Sequence, residues 1–453
     1  MKKNISKILF FFILLHPLLD IGATYLKIGS ISISTILRPI IPFIVFLYLI
    51  VKKEISIKQI IPYFGIYILY CLIHLWTYKV NLTPFAYGSV FHEAEYLFHY
   101  GYLFFLMFLY QKFFDGDVIK ALLYMNIEIL ILLGISTLTN TGTSTYLEGF
   151  GNKGWFSSGG MLGSTMTVSI CIFLSQIQNR KDKVLIGITT LLMLIYLCFF
   201  LGTRVSFYGS ILIIALAGYY FLMLLLKEKK KYLVMGLCTV VLLAGTIFLF
   251  QYRTNRAKYL DDLKDDIIDP DTGEVIHIAY DILLVKKDIL KENKYGLNFY
   301  QQEAIINLSD IAEKEKWVST DMRKQQLYYH TYLYQAEGFD LVKKLFGNGY
   351  LSNMGALTLE MEEIALWYNF GIIGFILFFG YFLKLSIEGI IIGWKYRNQI
   401  DFEYLVLTTG VFYSFGVSLF SGHIFFHTSV MIVIVLLFYL YDKKIKRMKE
   451  GIS

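Results

Sequence analysis

Apolar runs of roughly twenty residues, separated by short polar or basic connections, recur along nearly the whole chain. A helix rising 1.5 Å per residue needs a run of about that length to cross ~30 Å of hydrocarbon. The pattern predicts spans near 8–26, 34–51, 59–77, 91–111, 118–139, 160–176, 184–202, 206–226, 232–250, 363–383, 403–420 and 424–441. The expected fold is therefore an all-α polytopic membrane protein with about twelve transmembrane helices. The first apolar run contains Pro17 and Asp20, lacks a small-x-small cleavage site and leads directly into another apolar segment. It reads as the first span rather than as a cleaved signal.

One long polar segment interrupts the series, and it gives three expected regions: helices one to nine in 1–250, a loop in 251–362, and helices ten to twelve with a basic tail in 363–453. Within the loop, an acidic stretch from Asp261 ends in the turn Pro270-Asp271-Thr272-Gly273. Tyr280 to Leu290 and Met322 to Gln335 have helical spacing, and Gly347-Asn348-Gly349 predicts a turn before the chain re-enters the membrane. A small, mostly helical lid is expected there rather than a linker.

Charge gives the orientation. Alternate connections hold Lys2, Lys3 and Lys7; Lys52, Lys53 and Lys58; Arg180, Lys181 and Lys183; Lys227 and Lys229 to Lys231; Lys395 and Arg397; and Lys443, Lys444, Lys446, Arg447 and Lys449. The opposite short connections hold little beyond Lys27, Lys79, Lys153 and Arg204. By the positive-inside rule both termini are cytoplasmic and the loop is extracytoplasmic. The net charge of +7 is thus spent at helix ends, and no nucleic acid is expected as a partner. Hydrophobic residues at 56%, charged residues at only 17% and a mean hydropathy of +0.56 name the bilayer as the solvent. Cys71, Cys171, Cys198 and Cys238 all fall inside apolar runs, so neither a disulfide framework nor a cysteine-bound metal is expected.

Ionisable residues in apolar spans are costly and mark cavities or partners. They gather toward the outer side: His16 and Asp20, Arg38, then His92, Glu93, Glu95 and His99, with Lys153, Arg204, His423 and His427 in short outer turns. Interhelical hydrogen bonds and snorkelling side chains are the structural alternative for any one of them. Together they favour a polar outer cavity. The pair His92-Glu93 begins a zinc-binding His-Glu-x-x-His helix only if position 96 is histidine, and it is Tyr96. No metal is expected.

Four patterns carry a resemblance: Lys153-Gly154-Trp155-Phe156 entering a span, Gly202-Thr203-Arg204 in a short turn, Arg323 upstream of Leu345-Phe346-Gly347-Asn348-Gly349, and Tyr368-Asn369-Phe370-Gly371-Ile372-Ile373-Gly374 opening the next span. Ser421-Gly422-His423 fits as well. In order and placement the chain resembles the O-antigen ligase and Wzy-type polysaccharide polymerase superfamily, whose multi-span, GT-C-like fold places a large outer loop before the final helices. The resemblance implies a bacterial plasma-membrane glycosyltransferase that moves glycan from undecaprenyl pyrophosphate to an acceptor hydroxyl at the outer face, without cofactor or metal.

It implies Arg204 and Arg323 as pyrophosphate contacts, with Arg38 and Lys153 as secondary ones. The ligases usually place a histidine shortly before the helix after the loop, whereas this chain has Glu360-Met361-Glu362-Glu363. Glu362 or Glu360 is therefore the expected general base, with His330 as the alternate. The leading expectation is a capsule or exopolysaccharide repeat-unit polymerase whose partners are the lipid-linked donor, the glycan acceptor, the bilayer and a chain-length regulator. A ligase passing finished polymer to a lipid, wall or protein acceptor is the nearest alternative, and a lipid-linked oligosaccharide flippase is the alternative of another class.

Overall fold

A computed structural model of the chain describes residues 2–28, 31–81, 89–146, 149–177, 180–227, 299–315, 322–336, 341–349, 359–397, 400–422 and 424–451, together with Leu297, Trp317 and Leu357. The helices are α1 (Lys2–Tyr25), α2 (Ile33–Val51), α3 (Ile57–Asn81), α4 (Ser89–Phe113), α5 (Val118–Leu138), α6 (Gly159–Gln176), α7 (Lys183–Phe199), α8 (Arg204–Lys227), α9 (Phe299–Lys314), α10 (Met322–Ala336), α11 (Leu341–Phe346), α12 (Glu362–Lys395), α13 (Phe402–Phe420) and α14 (Thr428–Lys449). Helices stand at every predicted span except 232–250, which lies outside the described residues, as do 261–273 and 280–290. Among the described residues, α1, α5, α12 and α13 are each long and apolar enough to cross a membrane. Leu37–Val51, Phe64–Tyr78, Lys183–Phe199 and Arg204–Tyr219 are shorter apolar helical stretches.

The bundle is built around α6 and α14, which are buried on nearly every side: Leu162 to Ser175 on one, Ser429 to Tyr439 on the other. A helix apolar all round belongs in the middle of a bundle. Small residues let its neighbours approach. Gly209 of α8 sits against Thr167, and Gly410 of α13 lies against Cys171 and Leu437, so a Cβ at either would meet side chains of the central helices. Among the described residues, Cys71, Cys171 and Cys198 are free thiols; Cys238 lies outside them.

The helix ends sort into two polar layers. At the basic end, Asp401 caps α13 through the Tyr404 amide and also holds the buried Lys444 at 2.5 Å. Glu403 adds Lys444 at 3.3 Å and Arg447 at 2.7 Å, and Arg180 joins Asp117 to Asp182. The opposite end carries two short ribbons, Lys27–Ile28 with Ile31–Ser32 and Thr143–Ser144 with Asn152–Gly154, so it is called the ribbon end. There α9 and α10 close over a small core of their own, formed by Leu297, Ala304, Ile305, Leu308, Tyr329, Leu333 and Leu357.

The longest helix, α12, is broken near its start. Gly371 has φ 69° and ψ −176°, and the break frees carbonyls that an unbroken helix would use. Each finds another donor. The Asn348 amide donates to Tyr368 O at 3.0 Å, the Gly349 amide to Asn369 O at 2.8 Å, and the Tyr70 hydroxyl to Phe370 O at 2.7 Å. The predicted Gly-Asn-Gly turn exists, with φ 84° at Gly347 and 74° at Gly349, and its amides serve this break. A Cβ on Gly371 would come within 2.5 Å of the Leu345 carbonyl, so only glycine fits there.

Candidate functional site

The turn between α13 and α14 organises the ribbon end. Its amides at Ile424, Phe425 and Phe426 donate to the Glu362 carboxylate at 3.0, 3.0 and 3.3 Å, and the Ser418 hydroxyl adds a fourth bond at 2.8 Å. Below the turn, the Phe425 ring packs among Phe379, Phe382, Phe415 and Phe438, while Phe426 meets Tyr100 edge to face. Above it, Gly422 at φ 68° presses on the carbonyl of Glu360, where a Cβ would overlap the oxygen.

Glu360 is held from both sides but keeps its carboxylate accessible. Its amide donates to Gln326 Oε1 at 3.3 Å, and its Oε2 lies 3.4 Å from Nη2 of Arg323, with each side chain a little over one-third exposed. Arg323 and Gln326 both come from α10, so the lid helix reaches the segment just ahead of α12. A further bond, between Thr331 Oγ1 and Tyr368 Oη at 2.9 Å, joins α10 to α12 itself. His330 is buried, and its Nε2–H donates to Leu357 O at 3.0 Å. Burial pushes that imidazole down to about 4.

Arg38 and Lys153 share a second cluster. Arg38 Nη2 lies 3.1 Å from Asp20 Oδ1, both side chains being buried, and Nη1 donates to Thr428 Oγ1. Asp20 also accepts from Ser429 Oγ, and from Ser157 Oγ at 3.4 Å. Lys153 donates to Ser157 O at 3.1 Å, and His16 Nε2–H to the carbonyls of Thr428 and Ser429 at 2.9 and 3.1 Å. Arg38 is thus committed to a buried ion pair, and Lys153 to a carbonyl. This cluster meets the Glu362 turn because Thr428 and Ser429 follow directly from it.

Arg204 is differently placed. Thr203 and Ser206 cap the start of α8 reciprocally, with the Ser206 amide on Thr203 Oγ1 and the Thr203 amide on Ser206 Oγ at 3.1 and 3.2 Å. Arg204 is the first helical residue, exposed, and makes no hydrogen bond or ion pair among the described residues. It contacts neither Arg323 nor the Asp20–Arg38 pair among those residues. The structure therefore joins Arg323 to Glu360, and Arg38 to Lys153 through Asp20 and Ser157, and leaves Arg204 by itself on the same end of the bundle.

His74 is absent from the residues that the sequence singled out, although it too is an ionisable group in an apolar run. Its Nε2 lies 2.6 Å from Glu93 Oε1, both fully buried, and its Nδ1–H donates to Phe346 O at 2.5 Å. Of Glu93, Glu95 and His99 near the start of α4, Glu93 is the one turned fully inward; His423 and the His92 side chain lie outside the described residues. No group of three or more His, Cys, Asp or Glu among the described residues is placed to hold a metal ion.

A family model described as O-antigen ligase like membrane protein matches residues 2–447. The chain belongs to that family. The match covers both polar layers, the broken helix and the lid, and it bears out the resemblance carried by the motifs. No curated protein matches the chain. For this O-antigen ligase-like protein the motifs now have physical content. Leu345-Phe346-Gly347-Asn348-Gly349 and Tyr368 to Gly374 are two halves of one backbone lock, and Ser421-Gly422 lets a turn close under Glu360. Membership supports a membrane glycosyltransferase of the polysaccharide ligase or polymerase kind.

Proposed function

We propose that this protein is a repeat-unit polymerase of a cell-surface polysaccharide, transferring glycan from undecaprenyl pyrophosphate to a lipid-linked acceptor at the outer face of the plasma membrane. In this reading about twelve helices span the bilayer, the basic end is cytoplasmic, and the lid with the ribbon end faces outward. The observation that carries it is the accessible Arg323–Glu360 pair at the lid, on the same end of the bundle as Arg204, which has no partner among the described residues.

An anionic pyrophosphate competes with Glu360 for Arg323 and, by taking the guanidinium, frees the carboxylate. The acceptor hydroxyl oxygen then attacks the anomeric carbon of the donor and its proton passes to Glu360. The bond from that carbon to the pyrophosphate oxygen breaks, and the lipid pyrophosphate leaves with its charge held by Arg323 and Arg204. Arg38 and Lys153, already engaged by Asp20 and the Ser157 carbonyl, support the wall of the site. His330 is the alternate base.

Purified protein in nanodiscs, given lipid-linked repeat units, should yield lengthening glycans and free lipid pyrophosphate. Single units that persist, under conditions where a related polymerase extends them, overturn the proposal. The family match favours a ligase as the second reading, and product length separates the two. Loss of a polymerase leaves single units, whereas loss of a ligase leaves long unattached polymer. A flippase is disfavoured because the paired charges gather in layers at the two helix ends, while transporters place their sites near the midplane.

A further inference from the structure

Glu362 carries a negative charge into a buried position, with 7% of its surface exposed, and is met there by donors from two other elements. Oε1 accepts from the amides of Ile424 and Phe426, and Oε2 from the amide of Phe425 and the hydroxyl of Ser418. Consecutive amides converging on one anion form a nest, an arrangement that proteins use elsewhere to hold phosphate or other oxyanions. Here the anion belongs to the chain itself. A carboxylate offers about four lone-pair directions, and these contacts occupy that number, leaving none aimed at an acceptor hydroxyl.

What the nest holds in place is informative. The turn that supplies the amides has Gly422 against the Glu360 carbonyl at one end and Thr428 against Arg38 at the other. The chain from Glu360 to Glu362 is therefore tied to the turn twice, once through backbone packing and once through the carboxylate. One residue lies between Gly422 and Ile424, so a displacement of the amides moves Gly422 and, with it, the main chain that presents Glu360 to Arg323.

We propose that Glu362 is a positioning residue, an internal anion around which the amides of 424–426 gather, and that it sets the Glu360 carboxylate against Arg323 without itself exchanging a proton. The importance given to Glu360 rests on the proposed transferase reading; the nest does not.

The test uses full-length protein in nanodiscs carrying Glu362→Gly, which empties the nest, and small planar anions to refill it. Formate and nitrate are similar in shape, but nitrate has negligible basicity. Hydrogen exchange at the 424–426 amides reports the nest, and glycan transfer reports the site. In Glu362→Gly, protection at these amides should be lost and transfer should fall on the order of 100-fold, the scale of a misplaced catalytic group. Formate and nitrate should each restore both, to similar extents.

Rescue of transfer by formate but not by nitrate makes Glu362 a base and overturns the proposal, as does undiminished amide protection in Glu362→Gly without anion. Where that variant fails to assemble, Glu362→Gln decides. Its amide group faces donors with a donor, so protection and transfer should fall together; loss of transfer with protection intact overturns the proposal. Wild-type amides that exchange freely also overturn it, whatever the activity. Wild-type amides that are protected in a protein showing no transfer uphold the nest and count against the transferase reading alone.

Discussion

His74 and Glu93 meet at 2.6 Å with both side chains fully buried, and the other nitrogen of His74 donates to the carbonyl of Phe346. Because a carbonyl only accepts, Nδ1 carries a hydrogen, and the short contact on the far side of the ring needs one more proton between Nε2 and Oε1. Tyr70 and Tyr78, one turn before and after, stack on the imidazole at interplanar angles of 19° and 5°. The pair ties α3 and α4 to the turn that locks α12.

Removing one member of such a pair strands the other in an apolar site, at a cost of about 3–5 kcal/mol. Glu93→Ala should therefore lower stability to chemical unfolding in detergent by that order. The double replacement His74→Phe with Glu93→Leu should lose less than Glu93→Ala, since it leaves neither member of the pair stranded in the apolar site. A double variant less stable than the single one would refute the pairing.

The lock itself is tested at Gly371. An L side chain at φ 69° is strained by about 1–3 kcal/mol, and its Cβ also drives into the Leu345 carbonyl. Gly371→Ala should reduce the yield of assembled protein and its thermal midpoint. Gly134→Ala, at a helical position with nothing within 4 Å of the added carbon, should be neutral or slightly stabilising. Equal behaviour of the two variants would remove the argument for a forced break.

The contrast between those glycines shows what the sequence could convey. Apolar length and basic spacing made the helices legible, because span length is fixed by hydrocarbon thickness and needs no knowledge of partners. The meeting of Arg323 with Glu360 was not legible, since nothing in either neighbourhood states which residues meet across the 37 positions between them. His74 went unnoticed because one histidine in an apolar run has no local signature until Glu93 is brought to it. Arg38 and Arg204 look equally free as letters, yet one is buried on Asp20 and the other has no partner among the described residues. Tertiary pairing decides which charge is available, and pairing is not local.

Acidity should loosen the lid. Burial holds the His330 imidazole at about 4 in the folded protein, against 6.5 when exposed. Between those values the unfolded lid binds more protons than the folded one, so stability rises with pH across that window. The contribution is complete above about pH 6.5 and is lost as pH falls toward 4, amounting to about 3 kcal/mol in all. Limited proteolysis between residues 299 and 336 should accelerate over this range. In His330→Gln, which keeps a donor for Leu357 but does not titrate, the acceleration should largely disappear. An unchanged pH profile in that variant would assign the effect to another group.

Arg204 gives the sharpest separation of function from stability. Its guanidinium occupies the first position of α8, where the positive end of the helix dipole makes a cation unfavourable by about 0.3–1 kcal/mol. No carboxylate among the described residues offsets this. Arg204→Ala should therefore leave stability within ~0.5 kcal/mol or raise it slightly. Glycan transfer should fall about 10- to 100-fold, because a hydrogen bond to a charged group contributes about 1.5–3 kcal/mol. Arg204→Lys should recover only part of that loss, keeping the charge but losing the two-pronged grip on phosphate. Arg38→Ala is the control of opposite sign: it strands the buried Asp20 and should cost about 3–5 kcal/mol of stability. Stability falls in one variant and activity alone in the other only if the two arginines do the different work that their surroundings indicate; a similar loss of stability in both would return Arg204 to a structural role.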